Sequence, residues 1–201
     1  MNKGLISVVT AVLLSSSLFG TCEYGQNGDI IVGFQAYKTP LKIGVGGEFN
    51  NVEYVNNTKF AKDLSTLLKG ATVNINTGSV DSANPARDKK LVDFFFNIMS
   101  QKGIQAKITD LKVDKSDGST KTTGVIYVDI KMNNVSHPAE MKFSYEKGVL
   151  QADGVIDLKD YNALNSLSSI NKACYDLHKG KTWSDVAISF NMNIQEDCKE
   201  L

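Results

Sequence analysis

Few residues of this sequence could carry acid–base, metal or nucleophilic chemistry. The 201-residue chain contains two histidines and three cysteines. His137 and His178 lie far apart in the sequence, and neither belongs to a zinc-binding motif or accompanies a serine elbow. The sequence therefore predicts a protein that is not an enzyme and that carries no metal or cofactor.

A glycine-rich run and an arginine–aspartate pair also invite chemical interpretations. The run Gly44-Val45-Gly46-Gly47 has the wrong spacing for a phosphate loop, and no predicted helix follows it. Glycines within a strand more often mark a bend or a bulge. The dipeptide Arg87-Asp88 opens a predicted helix, and we interpret it as a local ion pair.

The two histidines differ in their predicted surroundings. His178 falls in the last turn of a predicted helix, where an imidazole suits the negative end of the helix dipole. His137 lies on the apolar face of a predicted strand, beside Ile130. There it either bonds a backbone carbonyl or contacts the polar head of a ligand, and Tyr145 is a second candidate for that contact.

A predicted hairpin determines the position of His137. Two asparagines, Asn133 and Asn134, join two alternating apolar runs and suit a tight type I′ turn. With that turn, Ile130 faces His137 across the hairpin. A slip of one residue would bury the charged face, so the register is well specified. The apolar face also contains Ile126, Val128, Met132, Val135, Ala139, Met141, Phe143 and Tyr145.

The same alternation recurs along the chain and predicts eight strands with three interrupting helices. We expect an all-β fold with accessory helices, an eight-stranded antiparallel up-and-down barrel closed so that no edge is left open. A β-sandwich is the alternative. The predicted strands are residues 29–36, 41–54, 71–75, 104–113, 121–132, 135–147, 150–158 and 186–195.

Capping residues predict where the helices begin. Thr58 is the expected cap of the first, Asn84-Pro85 opens the second, and the third runs as one piece through residues 161–177. Phe94, Phe95 and Phe96 cannot all point the same way on the second helix. We expect Phe96 to pack sideways or to be partly exposed.

Composition and the N-terminal residues bound the compartment and the partners. Lys+Arg and Asp+Glu both number 22, which argues against nucleic-acid binding and against a polybasic membrane-binding protein. Residues 1–20 combine Lys3, a short apolar run and small residues, and we interpret them as a cleavable signal peptide. Residues 21–201 then form one periplasmic or secreted domain without a transmembrane segment. Lipid modification of Cys22 is the alternative.

Export makes disulfide bonds possible. Cys22 precedes the first predicted strand and Cys198 follows the last, and these two ends meet in a closed antiparallel barrel. We therefore favour a Cys22–Cys198 disulfide with Cys174 as a free thiol. The alternative, with all three cysteines reduced, stays open.

Four stretches resemble the YceI-like family of exported bacterial lipid-binding proteins. They are GEF at residues 47–49, NINTGSV at 74–80, ARDKKLVDFF at 86–95 and MNNVSHP at 132–138. The resemblance implies a lipocalin-like barrel with a long apolar cavity for an isoprenoid, a quinone or a fatty acid or amide. It also implies a periplasmic location and often a homodimer. The chain departs from the family at residues 157–161, where DLKDY replaces an arginine- and glycine-containing segment.

The inward faces of the strands and the helix stripe together predict the ligand-contacting residues. They are Phe34, Ile43, Phe49, Leu91, Phe94, Phe95, Ile126, Val128, Ile130, His137, Met141, Phe143, Tyr145, Ile156, Ile188 and Phe190. Small barrels can hold a ligand or can be filled by their own side chains. The first hypothesis is a non-catalytic carrier or sequestering protein for a long-chain amphiphile. A filled structural module whose helices dock a partner protein is the second, and an enzyme acting on a lipid is the third.

Overall fold

The computed structural model describes residues 21–114 and 120–199, which form a mostly antiparallel sheet with a few helices. The predicted signal peptide, residues 1–20, lies outside them. Among the described helices, none has both the length and the apolar character needed to cross a bilayer. The strands are β1 Thr21–Gln26, β2 Ile31–Lys38, β3 Ile43–Phe49, β4 Val52–Val55, β5 Phe60–Ala61, β6 Thr72–Ile75, β7 Val80–Asp81, β8 Ile104–Val113, β9 Thr122–Met132, β10 Val135–Glu146, β11 Val149–Asp157 and β12 Thr182–Lys199. The helices are α1 Leu64–Leu68, α2 Pro85–Phe94, α3 Leu164–Ala173 and α4 Tyr175–His178.

The sheet is strongly curled. Its strand order is β4-β6-β8-β9-β10-β11-β12-β2-β3-β7, and β1 pairs with β12 and β5. The two end strands, β4 and β7, each follow in sequence a strand from the other end of this order. β4 follows β3, and β7 follows β6. Backbone hydrogen bonds tie them together where the strands break: the Asn50 amide donates to the Ser79 carbonyl at 3.0 Å, and the Asn76 amide donates to the Asn51 carbonyl at 3.1 Å.

The all-β architecture was predicted, but the count of eight strands is not confirmed, because the described residues form twelve. Polar residues at 50–51 divide the predicted strand 41–54 into β3 and β4. The short strands β1, β5 and β7 were not predicted. Phe60, expected on a helix capped by Thr58, pairs with Gly25 in β5 instead. Asp63 caps α1, accepting a hydrogen bond from the Thr66 amide at 2.7 Å.

The central hairpin has the predicted register. Ile130 pairs with His137, Val128 with Ala139 and Ile126 with Met141. Asn133 and Asn134 have φ values of 53° and 63°, as a type I′ turn requires. The hairpin is therefore confirmed in both its turn and its pairing.

The second helix begins as predicted, but it ends at the first of the three phenylalanines that were expected on it. Asn84 accepts a hydrogen bond from the Arg87 amide at 3.0 Å, and Pro85 occupies the first turn. The helix stops at Phe94, and a 3-10 turn, Phe96–Ile98, changes the direction of the side chains. Phe96 is consequently 7% exposed and Phe94 is 41% exposed, the reverse of the expectation for Phe96.

The prediction that residues 161–177 form one continuous helix is wrong. A 3-10 turn, Leu158–Tyr161, comes first and ends at Asn162, whose φ of 52° is left-handed. The helix α3 follows, and the chain turns again at Cys174 before α4. These breaks let the segment follow the curved edge of the sheet.

The longest strand, β12, spans the molecule from end to end. Its second half pairs with β1, and Cys22 lies opposite Cys198. Those two residues are joined by a disulfide, and Cys174 is a buried free thiol. The last strand and the first described strand are therefore linked covalently at the end of the sheet opposite to Thr182.

Candidate functional site

The curled sheet encloses an apolar cavity of about 510 Å³. Its walls are the inward faces of the strands, because alternate residues of a strand point to the same side. Sites for small molecules usually have volumes of about 300–1,000 Å³. The apolar wall comprises Val32, Phe34, Ala36, Val45, Phe49, Val73, Ile75, Ile104, Ala106, Ile108, Ile126, Val128, Ile130, Met132, Met141, Ile156, Val186, Ile188 and Phe190.

Helices cover one side of this cavity. Leu91 and Phe95 project from α2 and its end, and Leu167, Ile170 and Leu177 contribute from α3 and α4. The two long helices also contact each other. Side chains of these helical segments therefore cover the cavity on this side.

One asparagine fastens both of these helical segments to the hairpin. The Asn133 side-chain oxygen accepts a hydrogen bond from the Ser100 amide at 2.7 Å. Its side-chain nitrogen donates to the carbonyls of Tyr161 and Asn162 at 3.0 and 3.1 Å. Ser100 follows α2 and Asn162 precedes α3, so the side chain of Asn133 contacts the end of one helical segment and the start of the other. Asn134 Nδ2 also donates to the Ser100 hydroxyl at 3.1 Å.

The charged residues that line the cavity are all basic. Lys38, Arg87, Lys90 and His178 line the cavity, and among the described lining residues there is no aspartate or glutamate. Burial, followed by the positive charges of Lys38 and Lys90, lowers the pKa of His178. These groups therefore lie near one another and form a basic mouth.

His178 has fixed hydrogen-bond partners. The Thr182 hydroxyl donates to the Asn171 side-chain oxygen at 2.8 Å, so its lone pair is free to accept from His178 Nδ1, also at 2.8 Å. Asn171 Nδ2 in turn donates to the Gly180 carbonyl at 3.2 Å. The predicted helix-end position of His178 is correct, but sequence reasoning missed its place in the cavity. A histidine after an amphipathic stripe gave no signal of it.

Most of the predicted ligand-contacting residues come together around the cavity. Phe34, Phe49, Leu91, Phe95, Ile126, Val128, Ile130, Met141, Ile156, Ile188 and Phe190 all line it. These residues lie on several strands and on α2, so the alternation in the sequence was sufficient to bring them to one face.

Two predicted residues lie at the rim and on the outer surface. Ile43 belongs to the inward phase of β3, but it pairs with Lys38 at the hairpin end and is 49% exposed. Phe94 is directed away from the cavity because α2 ends at this residue. The prediction that these side chains line the cavity is wrong.

His137 has the predicted register opposite Ile130, but it does not line the cavity. The residue is exposed, its Nδ1 lies 2.9 Å from the Pro138 carbonyl, and its ring packs edge-on against Tyr161 at 5.9 Å between centroids. Tyr161 is fully buried in the 3-10 turn that contacts β10. His137 therefore lies beyond the limit of the cavity, beside Tyr161.

The other end of the interior is filled. Phe143 and Tyr145, which were predicted to contact ligand, are buried in the core instead and do not line the cavity. The Tyr145 hydroxyl donates to Glu196 at 2.5 Å, and burial raises the pKa of Tyr145. The Tyr145 hydroxyl is therefore bonded to Glu196 outside the cavity lining.

The predicted ion pair between Arg87 and Asp88 is likewise not formed by these neighbours. Asp88 accepts hydrogen bonds from the backbone amide and the hydroxyl of Ser82, at 2.9 and 2.5 Å. Arg87 lines the cavity. The aspartate anchors the start of α2, and the arginine is available to the mouth.

Most of the sheet matches a known family. The model of the YceI-like domain matches residues 30–194. The chain belongs to the YceI-like family. Among solved structures, a polyisoprenoid-binding domain from Saccharophagus degradans has the same fold, with a TM-score of 0.60 and 11% identity over 86% of this chain and 97% of that one. BcnA of Burkholderia cenocepacia matches with a TM-score of 0.50 and 12% identity, over 82% and 96% of the two chains. No curated protein sequence matches this YceI-like chain.

The lowered pKa of His178 predicts how the stability of this YceI-like protein depends on pH. The folded pKa lies below the ordinary value of 6.5, so the unfolded chain binds the proton more tightly. Stability is therefore lost as pH falls through the ordinary range of histidine. We expect His178→Gln to lose less stability than the wild type between about pH 7.5 and pH 5.

Urea denaturation across that pH range measures this effect. His137→Gln is the matched control, because His137 is exposed and lies outside the cavity. Equal pH profiles for His178→Gln and the wild type would show that burial of the imidazole carries no penalty.

Proposed function

We propose that this YceI-like protein binds a long-chain amphiphile without catalysis, with the chain in the apolar cavity. The cavity is the observation that carries the proposal. Its walls are mostly apolar, and each methylene removed from water contributes about 0.8 kcal/mol. A filled barrel, the alternative predicted from the sequence, would have left no such space. The relative from Saccharophagus degradans is described as polyisoprenoid-binding, which supports an isoprenoid, a quinone or a fatty acid or amide as the ligand class.

The polar head of the ligand, in this proposal, lies at the basic mouth. Lys38, Arg87, Lys90 and His178 are the charged and titratable residues of the lining. The lysines and the arginine are only partly buried. They can therefore keep their hydration while an acyl chain occupies the apolar part of the cavity.

The compartment and the assembly are proposed on the sequence and the family. The predicted signal peptide and the disulfide between Cys22 and Cys198 support an exported protein, since disulfides persist in oxidising compartments. The family resemblance supports a homodimer. Fractionation of expressing cells and sedimentation of the purified chain measure the two properties directly.

Organic extraction and native mass spectrometry of the purified protein test the binding proposal. We expect a co-purifying amphiphile, released by organic solvent, with a single copy on each chain. Stripped protein should then bind cis-parinaric acid, a fluorescent fatty acid. Absence of any co-purifying lipid, together with no binding of cis-parinaric acid or of a polyprenol, would refute the function.

The basic mouth predicts a preference for anionic heads. We expect Lys90→Gln to weaken the binding of cis-parinaric acid by about fivefold, since a partly exposed charge contributes on the order of 1 kcal/mol. The uncharged methyl ester of the same acid should bind the variant and the wild type equally. Fluorescence titration of both ligands gives the comparison.

Lys89→Gln is the matched control for that experiment. Lys89 is the preceding residue on α2, is exposed, and pairs with Asp93 instead of lining the cavity. Equal weakening for the acid and for its ester would indicate that Lys90 contributes packing and not charge.

A further inference from the structure

The surface around the mouth combines exposed apolar side chains with lysines. We define the mouth rim as residues 39–43, the hairpin end between β2 and β3, and residues 175–183, from α4 into β12. Leu41, Ile43, Tyr175 and Leu177 in this rim are 81%, 49%, 61% and 63% exposed. Leu177 also lines the cavity, so the apolar rim is continuous with the apolar interior.

Hydrogen bonds hold the two parts of the mouth rim together. The Thr39 amide donates to the Lys181 carbonyl at 2.8 Å, and Trp183 Nε1 donates to the Thr39 carbonyl at 2.8 Å. The amino groups of Lys42 and Lys181 lie over the Trp183 ring, 5.1 and 4.7 Å from its centroid. The rim is therefore one preformed surface and not two independent loops.

The charge of this surface is strongly one-sided. The rim and the mouth together contain six basic residues, Lys38, Lys42, Arg87, Lys90, Lys179 and Lys181. The described residues of the rim and the mouth contain one carboxylate, the exposed Asp176. Just outside them, Asp185 binds Lys42 at 2.6 Å and pairs with Asp157 of β11 in the sheet. The whole chain is neutral, with 22 basic and 22 acidic residues, so the excess of positive charge is local.

We propose that the mouth rim docks on an anionic lipid bilayer, with Leu41 and Leu177 in the interface and the lysines against the headgroups. Charge complementarity selects this occupant, since lysines near an anionic bilayer strengthen binding to it. Trp183 lies beside them with its N–H bonded to Thr39, and aromatic rings are enriched at this boundary. If the proposed function is correct, this orientation opens the cavity directly onto the membrane.

Vesicle binding tests the docking without identifying any ligand. Trp183 is the single tryptophan of the chain, and it lies in the rim and also lines the cavity, so its emission responds to docking and to ligand entry. Sedimentation with vesicles reports on the docking itself. Vesicles of phosphatidylcholine with phosphatidylglycerol should sediment with the protein and shift the Trp183 emission to shorter wavelength. Pure phosphatidylcholine vesicles, or added salt, should weaken both signals, because salt screens surface charges.

Two rim variants and two matched controls locate the contact. Leu41→Ser and Lys181→Glu should each weaken vesicle binding by about tenfold, and neither residue lines the cavity. Val155→Ser is the apolar control, because Val155 is 65% exposed on β11. Lys62→Glu is the charge control, next to α1 and the β1 end of the sheet. Both controls should bind vesicles as the wild type does.

Three results would overturn the docking. They are no binding to anionic vesicles at low salt, wild-type binding by both rim variants, and equal weakening by the controls. Binding of cis-parinaric acid, measured in the same samples, separates the two proposals. A protein that binds this acid but not vesicles retains the proposed function and has no docking surface.

Discussion

Ala36→Trp is expected to weaken the binding of cis-parinaric acid by about a hundredfold while the protein remains folded. Ala36 lines the cavity between Val45 and Val186, its partners on the two neighbouring strands. An indole in this place excludes several methylenes of the chain, each worth about 0.8 kcal/mol. Filling an existing space should cost little stability, since the new ring displaces no packed side chain.

Fluorescence titration measures the affinity, and urea denaturation measures the free energy of unfolding. Ala187→Trp is the matched control. Ala187 follows Val186 on β12 and pairs with Gln35 and Val155, so it belongs to the outer face. The control should bind the acid with wild-type affinity. Undiminished binding by Ala36→Trp would place the fatty acid outside the cavity.

Loss of the disulfide is expected to cause the largest change in stability. Cys22 and Cys198 are separated by 176 residues, and closing so long a loop stabilises by on the order of 5 kcal/mol in the chain-entropy model. Single domains are stable by about 5–15 kcal/mol, so the double variant Cys22→Ser/Cys198→Ser should be close to unfolding. Urea denaturation with and without a reductant gives the difference in free energy.

Cys174→Ala is the control for that experiment. Cys174 is buried and unpaired, and its replacement should cost only the packing of one sulfur atom. Because Cys174→Ala retains the Cys22–Cys198 disulfide, reductant should lower its free energy of unfolding by the same amount as in the wild type. Identical denaturation of wild-type protein in oxidising and reducing buffer would contradict the predicted contribution.

The hairpin and the cavity wall were predictable from the sequence because each depends on local rules. A pair of asparagines determines the turn, and the turn determines which residues pair. Alternation then assigns Ile126, Val128 and Ile130 to the cavity wall, where the structure places them. Family resemblance added the ligand class, which no pattern of residues could supply.

The limits of the cavity were not predictable in the same way. Ile43, His137 and Tyr145 share the inward phase with true wall residues, and alternation alone cannot tell them apart. What separates them is how far along each strand the cavity extends. That extent depends on Tyr161 at one end and on the packing of Tyr145 with Glu196 at the other. Both contacts join residues far apart in the sequence.

The basic mouth was missed for a related reason. Lys38, Lys90 and His178 come from a strand, a helix and the end of another helix, so no spacing connects them. The neutral total charge argued against a basic surface. The local excess appears only when the fold brings these segments together.

Asn133 connects the two helical segments that lie over the cavity. Its side chain binds the segment after α2 and the segment before α3 at once. Displacement of either segment frees the Asn133 side chain and so removes part of what orders its hydrogen bonds to the other segment. We therefore expect the movements of the two segments to be coupled. Glycine at position 133 would keep the turn and uncouple the two movements, which amide hydrogen exchange in α2 and α3 could resolve.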